Sequence, residues 1–233
     1  MSTSQSTSRG GRDLPRRLFG EYLGSALLAA IVIGSGIAAQ QLSPGNVGLE
    51  LLENALVTGA GLYALIVIFS SVSGAHFNPI VSFVDAALGG SSWRRAFMYA
   101  PAQIAGCVSG ALLANEMFAR SLISISTHHR ASTAHVVAEV VASAGLILVI
   151  FSLARNGHHA STPAAVGAYI TAAYFFTSST SFANPAITIG RIFSNSFAGI
   201  APSSVPAFIV AQAIGASIGL AFVLLLYPTK ETT

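Results

Sequence analysis

The sequence predicts an all-α membrane protein in which six transmembrane helices and two re-entrant half-helices form an inverted repeat. Three observations carry that expectation. Of the 233 residues, 53% are hydrophobic and 8% charged, whereas a soluble domain carries about 25% charged residues. Six apolar stretches are long enough to cross a bilayer. An Asn-Pro dipeptide stands in each of two further apolar stretches that are too short to do so.

The long stretches cover roughly 22–40, 51–72, 96–118, 135–154, 163–179 and 206–227. At about 17 to 23 residues each, they suit a hydrocarbon core of about 30 Å crossed by a helix rising about 1.5 Å per residue. The short stretches, 78–88 and 184–193, are about 10 or 11 residues, a length that suits re-entrant or buried segments. Charge supplies the orientation. Arg9, Arg12, Arg16 and Arg17 precede the first span, Arg94 and Arg95 the third, and Arg155 and Lys230 follow the fourth and sixth, all on one side. Arg120, Arg130 and Arg191 fall on the other. The positive-inside rule places both termini in the cytoplasm. The net charge of +3 thus reflects topology, and no nucleic-acid partner is expected.

The opening MSTSQSTSRGGRDLPRR is basic and rich in Ser and Thr. The apolar run behind it lacks a clear small-x-small cleavage site, so it reads as a disordered cytosolic tail before a retained helix. The expected division is a tail at 1–17, a membrane domain at 18–228 with repeats at about 18–118 and 135–228, and a second cytosolic tail at 229–233. The single cysteine, Cys107, excludes an internal disulfide and reads as apolar filler.

The repeat is visible residue by residue. Glu21, Asn78-Pro79 and Gln103-x-x-Gly106 in the first half recur as Glu139, Asn184-Pro185 and Gln212-x-x-Gly215 in the second, at offsets of 118, 106 and 109. Three spans per half is an odd number, so the second copy sits upside down. Inverted repeats with broken helices meeting near the midplane are a transport architecture. The pairs Gly106/Gly110 and Gly215/Gly219 give the small-x-x-x-small spacing that lets membrane helices approach closely.

Proline is well placed at the first position of a helix, and asparagine before it acts as N-cap. Each Asn-Pro therefore reads as the start of a half-helix, with the positive end of its dipole at the asparagine. Entering from opposite faces, the two half-helices point these ends at each other. Non-helical backbone at this depth is tolerated only where protein buries it or a water-filled cavity solvates it. The junction of Asn78, Pro79, Ile80 with Asn184, Pro185, Ala186 is thus expected to line a pore that offers amide donors and repels cations.

The runs SGAHFNPIVSF and ANPAITIGRIF, with GEYLGSALL before and AQIAGC and AQAIGA after, resemble the aquaporin (major intrinsic protein) family from about residue 17 to 227. The resemblance implies the aquaporin fold, a homotetramer with one pore per subunit, and passive conduction without a cofactor. Ile80 stands where the family usually has Ala, and a bulkier group there is expected to narrow or reshape the midplane. The family's outer constriction, carried over by counting from the asparagines, falls on Thr58, Ala172, Ser181 and Ile187. The first, second and fourth of these positions usually hold a bulky aromatic, His or Gly, and arginine. An arginine there would add a fixed charge and several donors. Its replacement by Ile187 implies a wide, arginine-free opening. Arg191, one turn further out, is expected to point to headgroups or another loop. Thr188 replaces the Asp of typical glycerol facilitators, and the second run looks most like a bacterial subgroup linked to metalloid handling.

Glu21 and Glu139 are costly within spans unless satisfied. Their matching positions read as acceptors for the backbone of the re-entrant loops, with a proton relay as the less favoured reading. His76 is expected to line or brace the inner half-pore. The pairs His128-His129 and His158-His159 read as solvated loop residues. No phosphate-binding glycine motif, metal-ligand spacing or nucleophile triad stands out, so neither metal, cofactor nor enzyme activity is expected. The expectation is a passive channel in a cell inner membrane for water and small neutral solutes, with glycerol, urea or neutral metalloid acids such as arsenite all open. Two alternatives remain: a coupled secondary transporter using the intramembrane glutamates, and a non-conducting structural member whose midplane Ile80 would block.

Overall fold

The helices of this chain are organised by where its glycines and Asn-Pro pairs fall. The computed structural model describes residues 7–228, with side chains from residue 13 onward; the tail at 229–233, Lys230 included, and the side chains of Arg9 and Arg12 lie outside the described residues. Eight α-helices follow in order: α1 (Thr7–Leu42), α2 (Val47–Phe69), α3 (Pro79–Ala87), α4 (Trp93–Met117), α5 (Thr133–Arg155), α6 (Thr162–Phe176), α7 (Pro185–Gly190) and α8 (Val205–Leu226). There is no strand among the described residues.

Five helices, α1, α2, α4, α5 and α8, are long and apolar enough to cross a membrane. The sixth expected span is shorter: α6 has 15 residues, about 22 Å of helix, lengthened at its start by a 3-10 turn at His159–Ser161. The N-terminal expectation needs correction as well. Residues 7–17, read as a disordered tail, continue α1 as helix, with Asp13 paired to Arg16 and Arg17 one turn on. Opposite charges three and four residues apart favour the helix there.

Starts are capped as the sequence dictates. Asn46, Ser92 and Ser132 accept from the backbone N–H groups of Leu49, Arg95 and His135, filling donors that a helix start leaves orphaned. The most extensive helix packing is α1 against α4 and α5 against α8, the same pair in each repeat. A Cβ on Gly106 or Gly110 would lie 2.2 Å from the Tyr22 carbonyl oxygen or 2.0 Å from that of Ala26. On Gly215 or Gly219 it would lie 2.4 Å from the Val140 oxygen or 2.6 Å from that of Ala144. In lipid the association of helices rests on such close packing, because the tails are as apolar as the side chains.

The half-helices α3 and α7 pack against α4 and α8. Ile80 is drawn into this packing, in a cluster with Val84, Ile147, Phe151, Ala216 and Val223. It is therefore not the midplane obstruction that the sequence allows. We expect Gly110→Val to cost about 1–3 kcal/mol, the range for overpacking a tight contact, read as a lower thermal unfolding midpoint in detergent.

Candidate pore

Asn78 and Asn184 begin α3 and α7 as N-caps. The Asn78 side-chain oxygen accepts from Ile80 N at 3.2 Å, and that of Asn184 from Ala186 N at 2.9 Å and Ile187 N at 3.3 Å. Each amide nitrogen then reaches across to the other loop: Asn78 Nδ2 donates to the Ala183 carbonyl at 2.7 Å, and Asn184 Nδ2 to the Phe77 carbonyl at 2.8 Å. An amide NH2 has two donors. One is spent on the crossing bond, and the other is available to the cavity that both residues line.

The loops ahead of the half-helices hold non-glycine residues in the left-handed region. Ala75 and Phe77 have φ of 54° and 50°, and Ser181 and Ala183 have 47° and 45°. Each such residue costs about 1–3 kcal/mol and persists only where its surroundings over-determine it. Here two buried carboxylates do so. Glu21 accepts from Ser73 Oγ, His76 N, Phe77 N and Gln103 Nε2, at 2.5 to 3.0 Å. Glu139 accepts from Phe182 N, Ala183 N and Gln212 Nε2, at 2.6 to 2.9 Å. Both are fully buried, and neither lines the cavity.

Sequence reasoning missed a further pair. Ser82 and Thr188, each four residues after its asparagine, connect Gln103 and Gln212 to the carbonyls of Asn78 and Asn184. The common offset of 106 was the available signal.

A cavity of 660 Å³ runs from Asp85 and His159 at the end of the bundle where α1 begins and α8 ends, here called inner, past both asparagines, to Thr58, Tyr174 and Arg191 toward the opposite, outer end. His76 lines it and is fixed by its own contacts, with Nδ1 3.0 Å from Ser82 Oγ and Nε2 3.8 Å from Asp85 Oδ2. Thr58, Ser181 and Ile187 line its outer half, while Pro79, Ile80, Pro185 and Ala186 are buried behind it.

Two sequence expectations are corrected here. Ala172 is exposed on the outer face of α6 and does not line the cavity. The buried face of α6 carries Val166, Ile170, Ala173 and Tyr174, and Ile170 and Tyr174 reach the cavity. Counting back from Asn184 ignored this helical periodicity. Nor is the opening free of arginine. Arg191 is 2% exposed and lines the cavity, because four residues on a helix return to the same face and α7 continues into a turn at Arg191–Phe193. Its Nε donates to the Ala198 carbonyl, and its guanidinium lies 3.4 Å from the centre of the Phe182 ring, a cation–π distance.

Arg130 lies over the same ring at 5.5 Å. Its Nε and Nη2 donate to the carbonyls of Gly199 and Phe197, both at 2.9 Å, pinning the outer loop onto the second re-entrant segment. Burial lowers its pKa. Burial, with the Arg130 charge beside it, also holds His128 below the ordinary histidine value.

A helical bundle in which two broken helices meet head to head beside one continuous cavity defines a membrane channel. The chain belongs to the major intrinsic protein family, which residues 11–182 match. It is similar to aquaglyceroporin AqpS of Rhizobium meliloti (strain 1021), 44% identical over 209 residues that cover 90% of this chain and 89% of that one. It is also similar to the lens fiber major intrinsic protein of Mus musculus, 31% identical over 69% of this chain and 62% of that one. In fold it matches the X-ray structure of the aquaglyceroporin from Plasmodium falciparum, with a TM-score of 0.70, 18% identity, and coverage of 90% and 95%.

Replacing Glu139 by Gln keeps the shape but removes the charge from three hydrogen bonds. We expect a loss of about 1.5–3 kcal/mol, measured as a lower thermal unfolding midpoint, with Glu21→Gln behaving alike.

Proposed function

We propose that this protein passes water and small uncharged solutes passively down their gradients, glycerol foremost among them. The observation that carries this reading is the two-sided wall of the outer cavity. Thr58, Tyr174, Ser181 and Arg191 present polar groups, and Ile187 and Ile170 present hydrocarbon. A polyol has the same division, with hydroxyls along one edge and carbon along the other. The similarity to AqpS, itself described as an aquaglyceroporin, supports the same substrate class. Urea and neutral metalloid acids such as arsenite share the size and hydrogen bonding of glycerol and belong to that class.

The glutamates are committed to holding the loops, which argues against coupling through a proton relay. The proposed assembly is a homotetramer in a cell inner membrane, each subunit with its own pore. Exposed apolar side chains such as Leu56, Ile68, Phe175 and Val210 serve lipid and neighbouring copies. Arg94, Arg95 and Arg155 at the inner ends of α4 and α5 favour cytoplasmic termini, and the channel domain is proposed to occupy 18–228.

The test is stopped-flow light scattering on reconstituted vesicles, with water and glycerol compared against empty liposomes. Fast flux of both is expected. A well-folded protein that conducts neither would favour the structural alternative. Tyr174→Ala should raise glycerol flux relative to water, whereas Ala172→His, on the outward face, should leave the ratio unchanged. Ile187→Arg adds a second guanidinium to the wall and should suppress every solute larger than water.

A further inference from the structure

We propose that the outer filter is also a binding site for small monovalent oxyanions, carboxylates above all, which dock on Arg191 and plug the path; this rests on the cavity being the conduction path. A buried charge is ordinarily paired with its opposite. Arg191 is 2% exposed, yet no carboxylate lies within ion-pair distance of it among the described residues. One carbonyl and the Phe182 ring are its partial substitutes. Glu139, the buried acid of this half, has its oxygens held by Phe182, Ala183 and Gln212.

A second observation points to the same ligand. Ser181 is 3% exposed, lines the cavity, and its hydroxyl has no partner. The Tyr174 hydroxyl, 3.2 Å from Thr58 Oγ1, lines the same cavity as Arg191. Two oxygens on one carbon match the fork of a guanidinium, and the hydroxyls add donors to them. Arg130, over the same Phe182 ring, adds positive potential from above.

The other end of the path explains why an anion stays where it docks. Asp85 stands seven residues after Asn78, as Arg191 stands seven after Asn184, and both line the cavity. The repeat therefore puts a cation at the outer end and a carboxylate at the inner end. Between them the wall is mostly hydrocarbon, Leu62, Ile66 and Val166 among it, and the free amide donors of Asn78 and Asn184 replace only part of an anion's hydration. A neutral solute is neither held at one end nor repelled at the other.

The experiment measures water permeability of proteoliposomes at neutral pH while external chloride is replaced by formate, or by methanesulfonate, at constant ionic strength and osmolarity. Saturable slowing is expected in both, and formate should raise the thermal unfolding midpoint of the detergent-solubilised protein above that in chloride. Arg191→Gln should raise the anion concentration needed for half block about tenfold, as for the loss of one charge-assisted hydrogen bond, and shrink the thermal shift accordingly, with Arg191→Lys between them. Should Arg191→Gln not fold, Ser181→Ala carries the same comparison with a smaller shift. Wild-type protein indifferent to both anions, or a folded Arg191→Gln blocked like wild type, overturns the proposal. Stabilisation by formate through Arg191 in a protein that conducts nothing would uphold the anion site and refute the conduction reading; conduction without any anion effect would do the reverse.

Discussion

Two buried carboxylates make the rest of this structure possible. A bilayer offers no water to backbone groups, yet the segments ahead of α3 and α7 are non-helical at membrane depth. Glu21 and Glu139 each accept two consecutive backbone N–H groups there, at His76 and Phe77 and at Phe182 and Ala183. A charged acceptor of this kind is about twice as strong as a neutral one, enough to hold the left-handed residues in place. With the loops fixed, the asparagines can cap the half-helices and cross to the opposite loop. Gln103 and Gln212 then tie each carboxylate to its half-helix through Ser82 and Thr188. Removing the acid would release the loop, the cap and the wall of the cavity together.

The repeat keeps this scaffold symmetric and lets the lining diverge. Positions related by 106 residues pair Ala75 with Ser181, His76 with Phe182, Val81 with Ile187 and Asp85 with Arg191. The backbone at these positions follows one plan, as the matching positive φ angles show. The side chains do not. The inner copy sets a histidine beside a carboxylate, and the outer copy sets a phenylalanine beneath a guanidinium. One architecture thus gives a pore with chemically different ends.

The scaffold was readable in the sequence because it depends on residue types with few alternative uses in lipid: acids inside spans, Asn-Pro inside apolar runs, glycines four apart. The lining was less readable, for physical reasons that differ by residue. Distance along the chain points to Ala172, but the face a side chain takes is set by the helical turn of α6, which presents Ile170 and Tyr174 instead. The bulk of Ile80 suggests an obstruction, while its direction from the first turn of α3 carries it into the cluster with Ile147 and Val223. The length of α1 is hard to read because a Ser-rich, basic composition masks the pairing of Asp13 with Arg16 and Arg17.

Arg191 shows why a filter cannot be read position by position. An arginine side chain is long enough for its guanidinium to act well away from its own Cα, so one turn of helix need not remove its charge from the cavity wall. What must change is the support. Reaching from further out, the guanidinium rests on the Phe182 ring and the Ala198 carbonyl, and Ile187 fills the wall nearer the midplane. Charge and breadth are thereby separated: the cation remains at the mouth while the position nearest the asparagines becomes hydrocarbon. On the proposed reading, a constriction built this way keeps its barrier to cations and still accepts a solute with carbon on one side.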